Sequence, residues 1–171
     1  MITVRIANTT DAVLIAEMSR QTFYDTFAAE NTKEDMDVFM NEQFTTEKLV
    51  AEVGVAGNIF LLAYDGNEPV GYVRMHEGEQ YAAFNNQPSI EVVRIYATKA
   101  AIGKGVGKAL MQTCIAIARE QHKKIIWLGV WEHNQRAIDF YAKWGFEKFD
   151  THDFVLGKDV QTDWLLMKQL D

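Results

Sequence analysis

Between Ser89 and Leu110 the chain reads SIEVVRIYATKAAIGKGVGKAL, and this segment restricts the fold more than any other. Residues 90–97 have the composition of a β-strand. Three glycines at every second position (Gly103, Gly105 and Gly107) then open an amphipathic helix over 104–121. Glycines at such a junction let main-chain N–H groups approach a bound group with no side chain in the way, and a helix N-terminus favours anions. A phosphate or pyrophosphate is the expected ligand. Two familiar phosphate motifs do not fit. A P-loop requires Gly, four residues, then Gly-Lys-Ser/Thr, but Ala109 follows Lys108 and Ile102 occupies the earlier glycine position. The dinucleotide fingerprint requires a glycine where Lys108 stands and belongs after the first strand of its unit. From the glycines alone, a turn without any ligand stays open.

A second motif lies downstream, WLGVWEHNQRAIDFYAKWGF from Trp127 to Phe146. A strand over 124–130 leads to Asn134, a good helix N-cap. The helix that follows carries Ala137, Ile138, Phe140, Tyr141 and Trp144 and stops at Gly145. Together the two motifs resemble the GNAT superfamily of acyl-CoA-dependent N-acetyltransferases. That family's phosphate loop, Arg/Gln-x-x-Gly-x-Gly/Ala, is matched at Gly105 and Gly107, with Ile102 in the Arg/Gln place. Its later motif is matched at Asn134, Ala137, Phe140, Tyr141, Gly145 and Phe146. Across the whole chain the resemblance is greatest to the PaiA-like branch, which acetylates spermidine and spermine. QTFYDTF (21–27), WLGVWE (127–132) and HDFVLG (152–157) followed by Gln161-Thr162-Asp163 carry it, although Val93 stands where that branch suggests a second acidic residue.

Element order supports one mixed α/β domain spanning 1–171. A strand over 2–7 precedes a helix capped by Thr10 or Asp11 with apolar Val13, Leu14, Met18, Phe23 and Phe27. Short helices follow over 34–40 and 47–53. Strands 59–64 and 70–77 are joined by the hairpin signal Asp65-Gly66-Asn67. Strand–helix–strand order makes 90–97 and 124–130 parallel, and a last pair, 146–156 and 162–168, closes the chain. Val106, Leu110, Thr113, Cys114 and Ile117 recur at spacings of three and four and form the core stripe of helix 104–121. The resemblance implies a central, mostly antiparallel sheet of about seven strands, the parallel pair splayed and helices on both faces.

Composition narrows the class. The single cysteine, Cys114, rules out a disulfide within the chain and suits a reducing compartment. With no charged-then-apolar leader and no apolar run near ~18 residues, a cytoplasmic location away from membranes is expected. Residues 1–98 carry a net charge of −9 and residues 99–171 a net +2. An acidic half steers cations toward it, which favours cationic amines over nucleic acid.

The resemblance implies acetyl-CoA as donor and amine attack on its thioester. Tyr141 matches the family's general acid. Main-chain donors toward the acetyl carbonyl and pantetheine match Ile95 and Ala97, with Tyr96 between them. Ile102, Gly103, Lys104, Gly105, Val106, Gly107, Lys108, Asn134 and Ala137 complete the expected cofactor contacts. Glu91 is the candidate base, six residues before Ala97, and on a regular strand it shares a face with Val93, Ile95 and Ala97. A bulge there reverses the face, and pairing with Arg94 or exposure to solvent is the alternative. Tyr24, Asp25, Phe27 and Glu30 are candidate acceptor contacts. His76, His122, His133 and His152 show no metal-ligand spacing. The resemblance favours a small-molecule amine acceptor, with a polyamine first, and paired subunits are common in the superfamily. The alternatives are a protein N-terminus or lysine as acceptor, and a catalytically silent acyl-CoA-binding regulator.

Overall fold

The computed structural model describes residues 1–171. Strand β1 (Ile2–Ile6) leads through a single 3-10 turn into helix α1 (Ala12–Phe27). Asp11 stands at the N-cap of α1, one of the two expected positions, but makes no capping bond to the helix; the bonded cap is Asn8, at the start of the 3-10 turn. Its side chain accepts from Thr10 N–H at 2.9 Å, and Asp11 accepts from Asn8 N–H at 2.9 Å. This reciprocal box satisfies two orphan donors, and Arg5 fixes Asp11 through two contacts of 2.8 and 2.9 Å.

Helix α2 (Lys33–Val38) does not end as a plain helix. It widens into a π-turn, Phe39–Gln43, before α3 (Thr46–Glu52). Strands β2 (Asn58–Asp65), β3 (Glu68–His76) and β4 (Ser89–Ala97) form an antiparallel meander. Then come α4 (Val106–Glu120), β5 (Ile125–Trp131), α5 (Gln135–Lys143), β6 (Glu147–Leu156) and β7 (Asp159–Gln169). They build one seven-stranded sheet in the order β1-β2-β3-β4-β5-β7-β6, antiparallel except for β4 and β5.

Alternation along the strands divides the core in two. Leu61, Val73, Met75, Val92, Ile126 and Leu128 point toward α4 and α5, where they pack on Val106, Leu110, Met111, Cys114 and Tyr141. The buried stripe of α4 is rotated from the expected one. Met111, Ile115 and Ala118 belong to it, whereas Thr113 and Ile117 are only half-buried. On the opposite face Phe60, Leu62 and Tyr72 meet Ile15 and Met18 of α1. Beside them Phe23, Met36, Phe39, Phe44 and Leu49 form a separate aromatic cluster. Trp127 packs on Tyr81, Phe84 and Phe149 rather than under a helix.

The parallel pair is what positions the site. β4 and β5 are in register only over Ser89 to Glu91 against Ile125 to Trp127. Beyond Glu91 the strands part, although β4 stays paired to β3 as far as Ala97 and β5 to β7 as far as Trp131. A sheet opened in this way leaves main-chain donors and acceptors facing a gap.

Candidate active site

A cavity of about 620 Å³ passes through this gap. Its lining comes from both faces of the sheet: the 102–108 loop and α5 on one side, and α1, the π-turn and α3 on the other. At the first end, Gly103 (φ +84°) and Gly105 (φ +86°) adopt left-handed backbone that a side chain would strain, and no atom lies within 4 Å of where either Cβ would stand. The loop is therefore open to the cavity. Lys104 N–H turns inward to the Ala101 carbonyl at 3.2 Å, and Ala109 N–H closes the first helical bond on Gly105. The amides of Gly103, Gly105, Val106, Gly107 and Lys108 have no carbonyl partner in the chain. Five free donors at the positive end of a fifteen-residue helix form an anion cradle that suits a diphosphate. Gly107 serves packing, since Phe140 lies 3.4 Å from where its Cβ would stand.

Along β4, Thr98 N–H donates to Val70 on the β3 side at 2.8 Å. Alternation then turns the N–H groups of Ala97 and Ile95 toward the gap. Across it, Asn134 caps α5 by accepting from Ala137 N–H at 3.3 Å, which aims the start of this helix at the cavity. Tyr141, one turn on and only 8% exposed, lines the cavity, with its phenol pKa pushed upward by burial. Cys114 beneath it is buried, and its thiol is pushed up to about 12 by desolvation, which keeps it inert. The group implied by the sequence, coenzyme A, fits these features: an open amide cradle, unpaired strand amides, and a through-passage between them.

At the other end, Phe23, Phe27, Phe39, Phe44 and Phe154 form an aromatic wall. Arg20 holds the π-turn in shape by donating to the carbonyls of Met40, at 2.6 Å, and Phe44. Single π-turns of this kind recur at functional sites. Glu52, Arg74 and Arg94 line the wall beside them. Glu52 accepts from Arg74 at 3.1 Å and from Arg94, whose guanidinium stacks over Phe44 at 5.3 Å. Asp163 of β7 lines the cavity as well, with its carboxyl pKa raised by burial.

Several sequence-selected residues come together here. Ile95, Tyr96, Ala97, Ile102, Gly103, Gly105, Val106, Gly107, Lys108, Asn134, Ala137, Tyr141 and Phe27 all line the cavity. Lys104, Tyr24, Asp25, Glu30 and Glu91 do not. Tyr24, Asp25 and Glu30 sit on the outer surface of α1 and the turn after it, where Asp25 accepts only from Gln21 at 2.9 Å.

Glu91 is displaced by a bulge. Val92 pairs with Met75 and Arg94 with Arg74, so Val93 is an extra residue in β4. Glu91 therefore shares a face with Arg94 and Tyr96, not with Ile95 and Ala97. Burial pushes its carboxyl up to about 7 against the pull of Arg74.

The acidity of residues 1–98 does not reach the cavity either. Of their carboxylates only Glu52 lines it, outnumbered by Arg74 and Arg94. These arginines, together with Glu52 and Asp163, are functional candidates that the motifs passed over. Their signal is an arginine inside an apolar strand, as in VGYVRMH and EVVRIYA, because arginine is rarely buried unless paired.

Comparison with known proteins agrees with this geometry. A PaiA N-acetyltransferase from Thermoplasma acidophilum, solved in complex with coenzyme A, superposes with a TM-score of 0.80 at 21% identity, covering 99% of each chain. A spermidine N(1)-acetyltransferase of the same organism is 24% identical over 169 residues, covering 94% of this chain and 99% of its own. An uncharacterized N-acetyltransferase from Lactobacillus delbrueckii subsp. lactis is 39% identical over 153 residues, covering 90% of this chain and 88% of its own. The Acetyltransferase (GNAT) family model matches residues 18–146. The chain therefore belongs to the GNAT family of N-acetyltransferases, enzymes that take their acetyl group from acetyl-CoA.

Proposed function

We propose that this enzyme acetylates the primary amine of a small molecule, with donor and acceptor meeting inside the opened strand pair. The observation that carries this reading is the continuity of one cavity from the free amides of 103–108 to the charged wall of α3, β3 and β4. Acetyl-CoA supplies a thioester whose carbonyl carbon forms the new N–C bond as its C–S bond breaks. The amides of Gly103, Gly105, Val106, Gly107 and Lys108 hold its diphosphate. Ile95 and Ala97 N–H groups point to where charge gathers on the acetyl oxygen, and preorganised donors of this type contribute about 3–4 kcal/mol each in other enzymes.

Tyr141 donates its hydroxyl proton to the departing sulfur. Its raised pKa keeps the proton in place until the thiolate forms. Glu91 lies outside the cavity, so it takes the proton of the amine only through water. Asp163 and Glu52 are the carboxylates that line the cavity, and Glu52 is engaged by Arg74 and Arg94. Replacing Tyr141 by Phe tests the assignment. We expect kcat to fall about ten- to a hundredfold with the KM for acetyl-CoA nearly constant; an unchanged kcat removes Tyr141 as the acid.

A polyamine acceptor is a second reading. The name of the Thermoplasma relative favours it. Turnover of spermidine ahead of monoamines of equal length supports it.

A further inference from the structure

Two arginines face the cavity from neighbouring strands, with one glutamate to share. Arg74 and Arg94 are directly opposed across β3 and β4, and Glu52 at the end of α3 accepts from both. A bridge that only fastens α3 to the sheet needs one arginine for this carboxylate. Here one positive charge is left over, walled by Phe23, Phe39 and Phe44.

The excess is visible at Arg94 itself. Its side chain is 9% exposed, and its Nε is buried with no hydrogen-bond partner. A buried, unpaired donor on a charged group is costly, and native proteins rarely keep one without a use. Arg74 donates from Nε and Nη2 to Asn58 Oδ1 at 3.4 and 3.3 Å, an oxygen that also meets His76 Nδ1 at 2.7 Å, and this leaves one N–H on each terminal nitrogen of Arg74 for a ligand. Glu91 is the other carboxyl near Arg74. It lies outside the cavity, and burial pushes it up to about 7, so it is an incomplete counter-ion at neutral pH. Lys108 and Arg136 line the donor end, so cationic side chains outnumber carboxylates in the lining by four to two. A polyamine, cationic at every nitrogen, enters against that field. A molecule with an anion for the arginine wall and an amine for the gap enters with it.

We infer that the acceptor is an amine that also bears a carboxylate, of the amino-acid type. The carboxylate rests on Arg94 and Arg74, and the amine is directed to the parted strands where Asp163 lines the opposite side. This specificity rests on the acetyl-transfer reading and sharpens it. On transfer, the acceptor ammonium gives one proton to Asp163 or to water, its nitrogen bonds to the acetyl carbon as the C–S bond breaks, and the second proton it sheds returns through water to Tyr141. The sulfur leaves with a proton from Tyr141, and the acceptor carboxylate is unchanged.

The test is a set of amino acids assayed beside their own carboxamides, with spermidine included, at saturating acetyl-CoA. Each acid and amide differ in the anion alone. The best acid is expected to exceed its amide at least tenfold in kcat/KM and to exceed spermidine. Arg94→Gln should erase the difference between acid and amide, and Arg94→Lys should restore part of it, with affinity for coenzyme A held within twofold by calorimetry. Should Arg94→Gln fail to fold, Arg74→Gln, at a 20% exposed side chain, carries the same test, and the wild-type ratio is decisive without any variant. Amides or spermidine turned over as well as the acids overturn the inference and leave acetyl transfer standing. No turnover of any amine, with coenzyme A still bound, overturns both.

Discussion

Glu91 shows how burial sets the behaviour of a single carboxyl. Its pKa is about 7 in the folded chain against an ordinary 4.5, so folding disfavours its ionised form. As pH rises from about 4.5 to 7, the unfolded chain loses this proton first, and the folded state loses stability until Glu91 also ionises. Glu91→Gln removes that penalty. The melting temperature of the variant relative to wild type should therefore rise between pH 4.5 and 7.5 and then level off. A difference independent of pH would place the side chain in water. If Glu91 also relays the amine proton, the same variant shifts the pH dependence of kcat; if it does not, the profile stays put. The residue type and its spacing to Ala97 were readable in the sequence. Its face was not, because Val93 adds a residue to β4 without disturbing the local composition.

At the scale of elements, the π-turn after α2 is the least legible part and one of the more consequential. Residues 34–40 carry a helical pattern, and nothing in FMNEQ announces a five-residue widening. Arg20, in α1, holds the widening in place by donating to the carbonyl of Met40 within the turn and to that of Phe44 just after it. Arg20→Ala should destabilise the fold by about 2 kcal/mol in urea titration, in the range of charged hydrogen bonds. It should also raise KM for the acceptor more than for acetyl-CoA, since Phe39 and Phe44 line only the acceptor end. Equal changes in both KM values would show that the turn is scaffold alone. The 102–108 loop is the opposite case. Glycine spacing and the following amphipathic helix made it legible, because positive φ and an open amide row demand glycine. What spacing did not reveal was the separate task of Gly107, which makes room for Phe140.

For the molecule as a whole, element order gave the strand pairing, and the family's motifs gave the splay. Nearly all cofactor-side residues selected from sequence line one cavity. The acceptor side was read less well, for a physical reason. Its wall is built from α3, β3 and β4, and Glu52 meets Arg94 across 42 residues of sequence. Such contacts leave no local pattern. Net charge does not describe the cavity for the same reason: it averages over surface carboxylates that do not line it, whereas a few buried groups decide the field inside it.

The account depends most on the open amide row at 103–108 gripping the diphosphate of coenzyme A. Calorimetric titration of coenzyme A into wild type and Gly105→Val tests it directly, because valine disfavours the φ of +86° that keeps the row open. Wild type should bind one equivalent per chain, and the variant, still folded by its melting curve, should bind at least tenfold more weakly. Equal affinity in the two proteins would contradict the account.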